Sequence, residues 1–133
     1  MGLPDDDAVD IVANMSYEPQ FNQVKTVTDP KGNVIAHTYD YELDPAHPKY
    51  ATAGNVIFID QPMVAAGIPA TEFAYNGFGQ VTEVVDPNGN KTVYAYEPLT
   101  GYLSDIYQAP AGINAHMHFT YDSFGNLDVV TDA

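Results

Sequence analysis

The chain has 133 residues, enough for one domain in which roughly two-thirds of the unfolded surface can be buried. Eighteen acidic residues face four lysines and no arginine, a net charge of −14, which argues against nucleic acid, anionic membranes and phosphate-rich ligands as partners. There is no cysteine, so neither a disulfide framework nor a thiolate metal site is available, and no apolar run of about 18 residues exists to span a bilayer.

Residues 1–14 read as an acidic arm leading into a strand. MGLPDDDAVD is acidic where a signal peptide would be basic, so any export signal is expected outside this segment. The carboxylates of Asp5–Asp10 lack the spacing and glycine of a calcium loop, and read as a frayed terminus. Val9, Ile11, Ala13, Met15 and Tyr17 then alternate with mostly polar residues, the period of an entering strand.

From Tyr17 onward the chain repeats itself. Similar phrases begin at Tyr17, Tyr39, Tyr75, Tyr96 and Tyr121, at spacings of 22, 36, 21 and 25 residues. A turn residue follows in each: Asn22, Gly54, Gly79, Gly101 and Gly125. Two residues later comes an aliphatic (Val24, Val56, Val81, Leu103, Leu127), and three beyond that another (Val27, Ile59, Val84, Ile106, Val130). Agreement of five phrases at these positions predicts a tandem array over residues 15–133.

The turns have their own chemistry. In DPKGN, Asp29 caps the backbone, Pro30 presets φ and Gly32 supplies a positive φ; Asp86, Pro87 and Gly89 do the same in DPNGN. That order fits a type I hairpin turn closed by a glycine bulge. Asn22 stands where glycine is expected, and asparagine is the next best residue for that backbone.

The strands place aromatic residues two apart, and hence on one sheet face: Phe73 with Tyr75, Tyr94 with Tyr96, Phe119 with Tyr121. With Tyr17 and Tyr39 they form a predicted aromatic ladder, packing repeat on repeat or offering a platform to a sugar ring. The two aliphatics of each phrase have opposite parity. Either a bulge intervenes or both faces are partly covered.

Three segments depart from the pattern. Tyr41–Ala53 is inserted before Gly54 and carries Tyr41, His47 and Tyr50 as a candidate ligand loop. Gln61–Ala70 replaces the compact turn, and its best helical candidate is a turn around Met63–Ala66. Gln108–Ala115 is a milder variant. The chain stops at VVTDA, half a hairpin, which suggests a piece of a longer array with edges open to self-association.

The order Y-D-x-x-G-x-L, then D-P-x-G-N, then Y-x-Y resembles the RHS/YD-repeat family, over roughly Met15 to Ala133. The resemblance implies an all-β fold: tandem antiparallel β-hairpins forming a curved, twisted sheet that is part of a shell or solenoid. It implies a secreted or cell-surface parent protein, among bacterial polymorphic toxins, wall-associated proteins, insecticidal toxin complexes and teneurins. The implied partners are neighbouring repeats, an encapsulated C-terminal toxin, or a surface glycan. No self-cleaving core segment or toxin domain is recognisable in this chain.

Catalysis is not expected, nor is a cofactor. The aspartates Asp29, Asp40, Asp86 and Asp122 each have a turn to cap, and a catalytic pair is singular rather than repeated. His116 and His118, two apart in HMH, put two imidazoles on one strand face, half of a metal site that Asp105 on the preceding strand could complete. The alternative is a solvent-facing pair, and no metal is assigned from sequence.

Overall fold

The computed structural model describes residues 13–109 and 115–132. The acidic run Asp5–Asp10, the start of the entering strand and the centre of Gln108–Ala115 lie outside these residues.

Among the described residues ten strands form one antiparallel sheet in strict chain order, as repeated hairpin chemistry requires. β1 (Asn14–Tyr17) pairs with β2 (Val24–Thr28), which turns at Asp29–Asn33 into β3 (Val34–Tyr39). β4 (Val56–Asp60), β5 (Ala70–Tyr75), β6 (Val81–Val85) and β7 (Lys91–Tyr96) continue the meander. β8 (Leu103–Ala109), β9 (Ala115–Tyr121) and β10 (Leu127–Asp132) complete it. β1 and β10 are the two open edges, and their residues are exposed throughout. Among the described residues no helix is long and apolar enough to cross a membrane.

A bulge recurs in every repeat and resolves the parity of the aliphatics. Tyr17 pairs with Val24 but Ser16 pairs with Thr26, so Lys25 is an extra residue in β2. Tyr39–Val56, Tyr75–Val81, Tyr96–Leu103 and Tyr121–Leu127 are followed by the same shift. The extra residue brings Val24 and Val27 to one face despite their odd spacing, opposite Tyr17 and Met15. Each bulge also adds local twist.

The registers sort the side chains. One face carries Val27, Ile35, Ile59, Phe73, Val84, Tyr94, Ile106, Met117 and Phe119. The other carries smaller or polar residues such as Thr26, Thr38, Glu72, Glu83, Asp105 and His118. A single sheet has no second layer to cover it, so most side chains on both faces are half-buried. Among the described residues only Glu18, Tyr39, Asp40, Gly54 and Ile57 are buried, all where the inserted segment folds back on the sheet.

One local expectation is corrected. The segment around Met63–Ala66 is not helical: Val64 and Gly67 exchange backbone hydrogen bonds of 2.9 Å in a tight turn, and Gly67 takes φ 126°. With Met63, Val64 and Ile68 exposed, no apolar face is available to stabilise a helix there. The one helical turn among the described residues is a 3-10 turn at Asp40–Glu42, anchored by the Tyr39 N–H donating to Glu42 Oε2 at 2.9 Å.

Candidate functional site

The repeats are stitched by their tyrosines. Tyr39 Oη donates to the Val24 carbonyl (2.6 Å), Tyr75 to Val56 (2.8 Å), Tyr96 to Val81 (2.7 Å) and Tyr121 to Leu103 (2.9 Å). Each acceptor is the residue that pairs with the preceding repeat's tyrosine at the bulge. A bulge interrupts the regular ladder, and the next repeat's phenol bonds at that position. Burial, first among the causes, pushes the phenols of Tyr39, Tyr75 and Tyr96 above their ordinary value and keeps them as donors.

The expected ring-on-ring packing of the ladder is corrected by this geometry. Among the described residues no close ring pair joins two of Tyr17, Tyr39, Phe73, Tyr75, Tyr94, Tyr96, Phe119 and Tyr121. The pairs between tyrosine and phenylalanine rings are Tyr39–Tyr41, Phe21–Tyr41 and Tyr102–Tyr121. Successive ladder tyrosines are separated by one intervening strand, and each hydroxyl bonds a backbone carbonyl of that strand. Tyr17, in the edge strand, is exposed, and its hydroxyl lies 3.8 Å from Met15 Sδ.

The residue after each tyrosine closes the turn. Asp122 Oδ1 accepts the N–H groups of Phe124 (2.8 Å) and Asn126 (2.9 Å). Asn76 Oδ1 takes those of Phe78 and Gln80, both at 3.0 Å. Asp29 and Asp86 build the same Asx turn at the other end of the hairpins, and the Gly32 and Gly89 amides close back on their carbonyls. Hydrogen bonds, led by the side-chain amide of the asparagine four residues on, hold the Asp29, Asp86 and Asp122 carboxyls below the usual range. Asn22, Gly54, Gly79, Gly101 and Gly125 all take a positive φ.

Asp40 performs this closure across the insertion. Its fully buried carboxylate accepts the N–H groups of Gly54 (3.0 Å), Asn55 (3.2 Å) and Ala53 (3.3 Å), so Tyr41–Ala53 loops out between turn residues that still meet. Lys49 Nζ pins the loop to β5 through Glu72 Oε1 (2.6 Å) and the Phe73 carbonyl (3.2 Å).

The loop bounds a cleft of about 420 Å³ lined by Asp40, Pro48, Lys49, Tyr50, Tyr75 and Asn76. Of the three candidate ligand-loop residues, only Tyr50 reaches it. His47 serves the loop itself, its Nδ1 accepting the Lys49 N–H at 3.1 Å. Tyr41 stacks on Tyr39 at 5.9 Å and turns its hydroxyl into a buried place near Glu18. Glu18's oxygens are taken by the N–H groups of Gln20, Phe21 and Gln23, so the Tyr41 phenol lacks a well-formed bond; burial and then Glu18 push its pKa up. In the cleft Asp40 is engaged by backbone amides and Lys49 by Glu72.

On the sheet face opposite the ladder tyrosines Asp105 Oδ1 lies 2.8 Å from both His116 Nε2 and His118 Nδ1. These two contacts, His116 first, hold the Asp105 carboxyl down to about 2.

The class of protein is therefore a tandem β-hairpin array whose repeated element is a tyrosine, a capped turn and a bulge. Residues 75–104 match the model of the RHS Repeat family. No curated protein sequence matches it. Its fold is similar to the crystal structure of TcdB2-TccC3-Cdc42, with TM-score 0.72 and 21% identity over 92% of this chain. TcdB2-TccC3 alone gives the same values. The Tc holotoxin pore of Photorhabdus luminescens with a mutated TccC3 gives 0.71 and 20%, also over 92%. The chain spans only about 5–6% of the length of these structures.

Proposed function

We propose that the chain is a non-catalytic structural segment of an exported RHS-repeat protein, a stretch of shell or scaffold rather than a site of chemistry. The observation that carries this is the tyrosine-to-bulge bond, made four times in succession. An identical link at every repeat builds a wall, since its energy adds along the chain without converging on one point. At the far end the Leu127 carbonyl stands in the acceptor position and receives no tyrosine from the described residues. Beside it β10 is an open edge that offers unpaired backbone groups to a further strand. An enclosed C-terminal toxin is the partner that the similarity to TccC3-containing assemblies favours. A structure of the parent protein tests this: further strands on β1 and β10 are expected, and a segment standing as a separate domain would overturn it.

A second reading rests on the cleft beside Tyr50. An aromatic-flanked recess on an acidic, rigid sheet suits a glycan or a protein loop. A glycan array with the wild-type chain and Tyr50→Ala decides between the readings: binding lost in the variant supports recognition, and no binding by either leaves the scaffold alone. Turnover in a screen of peptide and glycoside substrates would contradict both.

A further inference from the structure

We propose that Asp105, His116 and His118 form a binding site for one divalent transition-metal ion of the zinc class. The site belongs to neither the tyrosine seam nor the cleft, and it lies on the opposite sheet face from the ladder. Its geometry follows from sheet register. Asp105 on β8 pairs directly with His118 on β9, and His116, two residues earlier, shares that face diagonally.

The three ligand atoms all lie within 4.8 Å of one another. The two nitrogen-to-oxygen separations of 2.8 Å are somewhat shorter than the edge of about 3.3 Å in a tetrahedron of ligands 2 Å from zinc. A small carboxylate swing therefore admits an ion. Two imidazoles and one carboxylate suit zinc, nickel or copper, whereas calcium and magnesium prefer all-oxygen shells.

The surroundings fit. Tyr107 stacks on the His116 ring at 4.4 Å and 7°, which fixes the plane of that ligand. The His118 side chain is 46% exposed, leaving solvent access and a position for water as fourth ligand. Asp105 is more enclosed, at 16%. One carboxylate oxygen serving two imidazoles is a proton-bridged arrangement that a doubly charged ion replaces with a stronger attraction, and the net charge of −14 draws cations to the surface. The ion would staple β8 to β9.

The test is a zinc titration of the chelator-stripped 133-residue chain by calorimetry, with nickel and calcium in parallel. One zinc per chain is expected, with a melting temperature raised by about 5 °C at saturation. His118→Ala, at the exposed ligand, should keep the wild-type circular dichroism and weaken zinc binding by about 10-fold or more. His47→Ala, elsewhere on the surface, should bind as the wild type does. No zinc binding up to millimolar concentration, equal binding by His118→Ala, or calcium binding as tight as zinc would each overturn the assignment.

Discussion

The Tyr96 hydroxyl donates to the Val81 carbonyl at 2.7 Å, joining two residues 15 positions apart on the neighbouring strands β7 and β6. Val81 is the bulge partner of Tyr75, so this bond ties one repeat to the one before it. Tyr96→Phe keeps the ring and removes only the donor, so it should cost about 1 kcal/mol. Urea unfolding should report a lower midpoint at unchanged slope. Tyr17→Phe, at the edge where no such carbonyl is reached, should change stability little.

Asp40 holds three backbone amides in a buried place, so Asp40→Ala leaves all three without partners. A loss of at least about 3 kcal/mol is expected. Thermal unfolding measures it, and hydrogen exchange should show the inserted loop opening first. A change of less than 1 kcal/mol would mean that the insertion is held by Lys49 instead.

Acid should weaken the array through its turn aspartates. The folded carboxyls of Asp29, Asp86 and Asp122 are depressed, so their contribution is present above the unfolded value of about 3.9 and is lost as pH falls through the lower folded values. Asn76 makes the same turn with an amide. Asp122→Asn should therefore fold normally at neutral pH and lose less stability than the wild type between about pH 4 and pH 2. Urea midpoints across that range provide the measurement.

Alkali should act on the seam. The Tyr39, Tyr75 and Tyr96 phenols are raised, so their contribution is complete below the unfolded value of about 10 and is lost as pH rises through the folded values. Absorbance of phenolate and circular dichroism, followed together, should change in one transition above pH 10.

Gly79 and Gly125 occupy equivalent turns with φ of 78° and 82°, yet their surroundings differ. A Cβ at Gly79 meets open space, whereas one at Gly125 runs into the Tyr102 ring and hydroxyl. Asparagine already takes this backbone at Asn22. Gly79→Asn should cost under about 1 kcal/mol and Gly125→Asn more. Equal melting temperatures for the two variants would contradict this account.

The hairpin array was legible in the sequence because turns and strand faces are local matters. Asp29-Pro30 with Gly32, and Asp86-Pro87 with Gly89, specify turns within five residues, and pairs such as Tyr94 and Tyr96 declare a face by spacing alone. The aligned column Val24, Val56, Val81, Leu103 and Leu127 was also visible, but as aliphatic side chains. That their backbone carbonyls matter could not be read, since every residue has one.

What only the tertiary structure decided are relationships that depend on register. A one-residue slip between strands would send each tyrosine hydroxyl to the wrong face, and the recurrent bulge sets that register. The insertion hid the bond from Asp40 to Gly54, because loop length says little about where its ends meet. Tyr41 looked like a displayed ligand residue and lies against Tyr39, since only packing determines which way a loop side chain turns. Local chemistry wrote the repeats, and the pairing of one repeat with the next determined which of their polar atoms face each other.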